Sequence, residues 1–395
     1  MNTAVLPPLA PAPLPLRRAR WATRSQFAVL GLFAGAWGAH IPSVKARYGL
    51  DEASLALVLL TAAVGAIAAL LVAGRAVGRL GARDAARAAG LATVAALALS
   101  LQMPSLAALL PVAFVLGAGS SLFDVAINTE GSELEHRSGR AIMSNLHGMF
   151  SAGGMAGAAL VALLLRTGMA PPLQLLLLAA VLAGCVLVGT RGMLPSHGAA
   201  GGATDTEAAH FAWPHGRLLV IGLLILSGML AEGVMYDWSV LYLKQEVGLP
   251  QAQAALGYAV FAGAMAAARF CGDALRERFA ERVLLVAGAG VAALAMATVL
   301  LTGTPALAFA GFALVGAGLA LVAPILYNAA TRVPGVSRAA AIASVTSIGH
   351  GGFMLGPPLV GALASAGSLT GALGVVVFGA GLLAVGARWV PVARR

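Results

Sequence analysis

Six ionisable side chains stand inside runs of sequence that are otherwise almost wholly apolar. Three of the 15 acids do so, Asp124, Glu232 and Asp237, and three of the seven histidines, His40, His147 and His350. If those runs lie in hydrocarbon, each charge costs about 2.5–3.5 kcal/mol on insertion scales, and a group kept there is a candidate for handling protons or substrate. Glu232 is the strongest. Gly228 and Gly233 flank it and let a helix loosen toward a cavity, and a carboxylate held in such a place is the kind of group that exchanges a proton. Asp237 lies five residues on, about 140° around an ideal helix, so the two acids should face different ways. It reads either as a second proton or substrate group, or as an acid at the outer membrane interface beside Trp238.

Asp124 and Asn128 are four apart and share a helix face. They suit substrate contact, or a structural network with Arg137 or Arg140. His147 could join Asp124 in a gate, or bond a backbone carbonyl as a neutral ring. Trp37 and His40, three apart, would set a flat π-surface beside a polar tip, a pairing that suits a sugar or polyol ring; packing is the plainer reading of the Trp. Tyr327, Asn328 and His350 are further cavity candidates from the second half of the chain. No H-E-x-x-H or G-x-x-x-x-G-K-[ST] pattern is present, so neither a metal hydrolase nor an ATP-driven pump is indicated, and no catalytic residue, metal or cofactor is expected. Cys185 and Cys271 are too far apart in sequence to suggest a disulfide framework.

The elements that must position these groups follow from composition. The 395 residues are 59% hydrophobic and only 10% charged, with a mean hydropathy of +0.89. Soluble domains carry about 25% charged residues, and no soluble fold of this length could hide so much apolar surface. A soluble enzyme, a nucleic-acid binder and a disordered chain are all excluded. In hydrocarbon every backbone polar group must be paired internally, so spans are helices or closed barrels. The long Ala-, Leu-, Val- and Gly-rich runs lack the alternation of a barrel. Spans of roughly 20 residues are expected at 25–43, 53–73, 85–102, 106–128, 143–165, 171–190, 217–242, 252–272, 283–303, 306–328, 339–364 and 369–388: an all-α polytopic membrane protein of about twelve transmembrane helices.

The net charge of +10 is explained by orientation. Of the 25 Lys and Arg, 21 fall in the termini and alternate loops of one side; only Lys45, Arg47, Arg166 and Lys244 fall on the other. Positive residues mark the cytoplasmic face, which puts both termini in the cytoplasm. The chain then divides into a disordered tail (1–20), a first six-helix bundle (21–190), a cytoplasmic linker (191–216), a second bundle (217–389) and a short tail (390–395).

The two bundles look like copies of each other. FVLGAGSSLFDVAIN at 114–128 resembles FALVGAGLALVAPILYN at 312–328, with Gly117 to Gly119 shifted by 199 onto Gly316 to Gly318. The same shift carries Gly153 and Gly157 onto Gly352 and Gly356, and nearly the same shift relates Arg140 to Arg338 and Asn128 to Asn328. Parallel repeats of this kind are the architecture of the major facilitator superfamily, and the loop GRAVGRLGAR at 74–83 resembles its signature at Gly74, Arg79, Gly81 and Arg83. Gly78 stands where the family usually has Asp. The matching loop ARFCGDALRERF at 268–279 keeps Asp273 with Arg269, Arg276 and Arg278, so the resemblance implies a cytoplasmic gating motif at these residues that is weaker in the first half.

GAWGAHIPSVKARYGL (35–50), DVAINTEG (124–131), SNLHGMFSAGG (144–154) and AEGVMYDWS (231–239) are similar to a bacterial branch related to fucose permeases and to a rhizopine-associated membrane protein. His40 stands where related sequences lead one to expect arginine. The resemblance implies a monomeric transporter in a bacterial inner membrane, working by alternating access on a small-molecule substrate such as a sugar or polyol, with protons as coupling partner. A proton-driven exporter of amphipathic compounds or drugs is the alternative. Such exporters typically carry G-x-x-x-G-P-x-x-G-G on the fifth helix, where this chain has no proline; the similar string GFMLGPPLVGA lies at 352–362 instead.

Overall fold

The computed structural model describes residues 14–140, 142–195 and 215–390. The first half holds α1 (Leu14–Tyr48), α2 (Glu52–Leu80), α3 (Ala82–Leu99), α4 (Leu106–Ser138), α5 (Met143–Arg166) and α6 (Pro171–Thr190). The second holds α7 (Gly216–Gln245), α8 (Gln251–Phe270), α9 (Gly272–Arg278), α10 (Glu281–Thr302), α11 (Pro305–Leu319), α12 (Val322–Ala330), α13 (Arg338–Ala366), α14 (Leu369–Ala372) and α15 (Gly374–Gly386), closed by a 3-10 turn at Ala387–Trp389. The twelve expected spans each lie on helix over most of their length. By length and composition, however, nine helices among the described residues qualify as membrane spans, or ten if the pair α8 and α9, bent by 55°, counts as one. The count of twelve crossings is therefore an expectation, with α3 and α13 the two helices outside that group.

The tail expected over 1–20 is helical from Leu14, so Arg17, Arg18 and Arg20 ride on the first turns of α1; residues 1–13 lie outside the described residues, as do 196–214 of the expected linker. Short joints set the helix ends. Asp51 caps α2 by accepting from the Ser54 N–H at 2.8 Å, and its hydrogen bonds with Ser54 hold its carboxyl below the usual carboxylate range. Gly81, at φ 79°, both ends α2 and begins α3, a left-handed joint that a side chain would strain.

Packing reproduces the repeat. A Cβ on Gly117 would lie 1.8 Å from the Ala62 carbonyl oxygen, and one on Gly316 would lie 2.2 Å from that of Phe261, so α4 rides on α2 as α11 rides on α8. A Cβ on Gly153 would lie 2.2 Å from the Ala28 carbonyl oxygen and one on Gly352 would lie 2.5 Å from that of Leu226, so α5 sits on α1 as α13 sits on α7. These backbone approaches are the close contacts that small residues allow in membranes, where apolar side chains gain nothing over lipid. Even polar edges repeat: Arg83 donates to the Met193 carbonyl, and Arg282 donates to that of Val390 at 3.2 Å. On the outside Leu301 is 87% and Leu71 76% exposed, a surface suited to hydrocarbon and costly in water.

The two halves meet mainly along α5 against α8 and α2 against α13. We call the end of the bundle that carries Leu14 and Val390 proximal and the other distal. At the distal end Gln251 Nε2 donates to the Ala39 carbonyl at 3.0 Å and to Ser43 Oγ at 2.7 Å, and Gly361 of α13 closes on Ala56 of α2. At the proximal end Ser144 Oγ donates to the Arg269 carbonyl at 3.1 Å, and the Phe270 ring covers Gly148.

Candidate functional site

Cavities lie between the halves, one central and one proximal. The central one, about 290 Å³, is walled by α1, α2 and α4 of the first half and by α7, α8 and α13 of the second. Five aromatic rings line it, Phe33, Trp37, Tyr236, Tyr258 and Phe353, and among the described residues Asp237 supplies the single charged side chain of its wall. Tyr236 and Tyr258 pack at 5.5 Å between ring centroids, with Phe261 edge-on to Tyr236 at 5.3 Å. The second cavity, about 580 Å³, lies in the proximal half, where Asp124, Asn128 and Glu133 of α4 face Thr346 and His350 of α13.

Glu232 sits just off the central cavity in a mixed network. Its Oε1 accepts from Tyr236 Oη at 3.0 Å and from an Arg269 guanidinium nitrogen at 3.2 Å. The pair is largely enclosed, with 13% of the Glu232 side chain and 12% of that of Arg269 exposed. The other Arg269 nitrogen donates to Ser151 Oγ on α5 at 2.7 Å. One guanidinium thus ties α8 to α7 within the second half and to α5 across the interface. Arg269, read from sequence as part of a basic loop motif, lies on α8 and points its charge inward; this is the site residue that sequence reasoning misplaced. Tyr236 was not singled out from the sequence; it is four residues from Glu232 and hence on the same face, a spacing that could have marked it.

Asp237 departs from the interfacial position considered for it. Helix α7 runs to Gln245, eight residues farther, or about 12 Å of helix, and Asp237 lies in the wall of the central cavity rather than at the helix end. It has neither a hydrogen bond nor an ion pair with another described residue. Trp37 also lines the cavity, but His40 does not join it. His40 is fully buried, bonds Ser43 Oγ at 3.1 Å through Nδ1, and so belongs to the distal contact between the halves.

Asp124 accepts from Asn128 Nδ2 at 3.0 Å, the pairing their spacing suggests. The proposed link to Arg137 is absent, because Arg137 pairs with Glu133 at 2.5 Å. Nor does His147 reach Asp124: its ring packs edge-on to Phe27 at 5.4 Å, and its electrostatic neighbour is Arg269. The histidine beside Asp124 is His350, on the opposite half, whose Nδ1 bonds the Thr346 carbonyl at 2.9 Å. Tyr327 interacts with Thr346 and lies within electrostatic range of both Asp124 and Glu232. Asn328 turns away from the cavities. It donates to Glu281 at 3.3 Å, inside a proximal cluster where Arg276 and Arg332 hold the same carboxylate at 2.6 and 3.4 Å.

Of the loop residues, Gly74 has open space around it, Arg79, Asp273 and Arg278 are exposed, and Gly81 and Arg83 serve the joint and helix contact already described. Asp273 pairs with no described residue, so its gating role rests on the resemblance alone. Among the described residues no three His, Cys, Asp or Glu gather at metal-binding spacing.

Residues 25–335 and 220–395 match the family model of the Major Facilitator Superfamily. An MFS-type transporter of Yersinia pestis is 34% identical over 354 residues, covering 90% of this chain and 91% of its own length. The membrane protein MosC of Rhizobium meliloti is 30% identical, covering 88% and 84%. Among solved structures a D-xylose-proton symporter superposes with a TM-score of 0.74 at 16% identity, over 94% of this chain and 98% of that one.

Proposed function

Because the chain belongs to the Major Facilitator Superfamily, we propose that it moves a small solute across a bacterial inner membrane, as a monomer with both termini cytoplasmic, by alternating access driven by protons. A sugar or polyol is the preferred cargo. The observation that carries this reading is the Glu232–Arg269–Ser151 link beside a cavity shared by both halves. A rocking mechanism needs a group whose protonation changes the contact between the halves. A proton arriving on Glu232 Oε1 removes the negative charge that holds one side of the Arg269 guanidinium. Arg269 is then held by Ser151 alone, and the balance between its partners on α7 and α5 shifts. Trp37 on the cavity wall gives a flat face for a ring-shaped solute.

The test is solute-dependent proton movement in liposomes holding the purified protein. Glu232→Gln should abolish proton flux and lower uptake by at least about tenfold, roughly 1.4 kcal/mol of lost driving or transition-state energy. If the variant moved solute and protons like the parent, the coupling assignment would fail. The second reading, export of amphipathic compounds, is favoured by the aromatic share of the cavity wall. It predicts that an imposed proton gradient drives dyes outward against it while sugars remain still.

A further inference from the structure

The central cavity is electrically lopsided. Asp237 is its only charged lining residue and no described side chain answers it. The cations that might have done so are engaged elsewhere: Arg269 is held by Glu232 and Ser151, and Lys244, two turns along α7, donates to Gln251 Oε1 at 3.1 Å. Trp37, Tyr236, Tyr258, Phe33 and Phe353 line the same cavity as the carboxylate. A partly buried carboxylate with no compensating charge is costly, and aromatic walls attract cations through the negative face of the ring.

We propose that the cavity binds a small organic ammonium, with its positive charge against Asp237 and its body against the aromatic rings. This rests on reading the cavity as the transport site, and it names the charge that the cargo must carry. Its volume of about 290 Å³ lies at the lower edge of the roughly 300–1,000 Å³ of small-molecule pockets, which limits the ligand to a small one. A neutral polyol would bury several hydroxyls against a wall whose polar side chains are few, and one of its tyrosine hydroxyls is already donated to Glu232. An anion would meet Asp237 directly. A sugar or polyol that bears an amine satisfies both the ring platform and the charge.

The experiment is equilibrium binding to the full chain in detergent micelles, by calorimetry and by thermal shift, with ligands matched in shape and differing in charge. Choline is compared with its neutral isostere 3,3-dimethylbutanol, and glucosamine with glucose. The charged member of at least one pair should bind about tenfold or more tighter than its neutral partner and raise the melting temperature. Asp237→Asn should erase that difference, and Asp237→Glu, which keeps the charge, should retain it. Equal binding within both pairs, no binding of either amine, or an unchanged preference in Asp237→Asn would overturn the proposal. The measurement needs no gradient. Amines that bind but move no protons in liposomes would sink the coupling reading and leave this one standing.

Discussion

The two halves of the molecule share a skeleton and differ in chemistry. Gly153 packs on Ala28 as Gly352 packs on Leu226, an offset of 198 for the partner helix. At that offset Ala34 and Ala39 of α1 stand where α7 carries Glu232 and Asp237. Gly117 on Ala62 and Gly316 on Phe261 relate α2 to α8 by 199, which pairs Leu70 with Arg269. The central charges therefore belong to the second half, while the first half presents small or apolar groups at the same places. In the proximal region the contrast reverses. Helix α4 runs unbroken over 33 residues and carries Asp124, Asn128 and Glu133 into the proximal cavity, whereas its counterpart breaks between α11 and α12. Duplication fixed how helices touch; divergence decided which half holds charge.

The sharpest way to break that comparison is at its most asymmetric pair. Arg269→Met leaves the Glu232 carboxylate enclosed with Tyr236 alone, and should destabilise the protein by about 3–5 kcal/mol; the double variant with Glu232→Gln should recover most of this in thermal unfolding. Leu70→Met, at the equivalent place, should cost less than about 1.5 kcal/mol. Equal losses at Arg269 and Leu70 would mean that the two positions are not functionally divided.

The shared skeleton makes the opposite forecast. Gly117→Ala and Gly316→Ala each drive a methyl group into a facing carbonyl, and each should lose about 1–3 kcal/mol. Gly356, whose added Cβ would meet its nearest neighbour at 3.6 Å, should accept Ala with little change. Tolerance at one of the first two alone would show that the repeat is not a packing repeat. Next in size, Asn128→Ala removes the donor to Asp124 and Asn328→Ala removes one of three donors to Glu281. The first should cost about 1 kcal/mol and the second less, since two arginines remain. The smallest effects are at the helix caps. Ser105 and Ser337 each accept a backbone N–H at 3.3 Å, and alanine at either should cost about 0.5–1 kcal/mol in denaturant melts.

Much of the fold was legible because membranes make the code simple. Long apolar runs have no alternative to helix, and the repeat is written in glycines whose missing side chains are the contact itself. The site was legible only in part. Glu232 and Asp124 stand out as charges in apolar runs, and Asn128 follows from four-residue spacing; the same spacing could have marked Tyr236, which was missed. Arg269 did not, because a basic residue at a helix end is usually spent on orientation, and nothing in its neighbours says whether a long side chain turns inward or out. For Asp237 the sequence left two positions open, because its depth depends on where α7 ends, three residues past the expected 242. His40 shares a helical face with Trp37, but the cavity wall is narrower than that face.

One contact between the halves has a consequence for the surroundings in which the molecule works. The distal ends are held across the interface by Gln251, whose amide oxygen accepts from Lys244 within the second half and whose Nε2 bonds the Ala39 carbonyl and the Ser43 hydroxyl, both neutral groups. Dissolved ions shield full charges, over about 8 Å at physiological ionic strength, and have little hold on such bonds. The bonds that cross between the halves should therefore keep nearly the same strength in dilute water and in brine, so that the distal contact responds less to ionic strength than a latch whose crossing bonds were ion pairs.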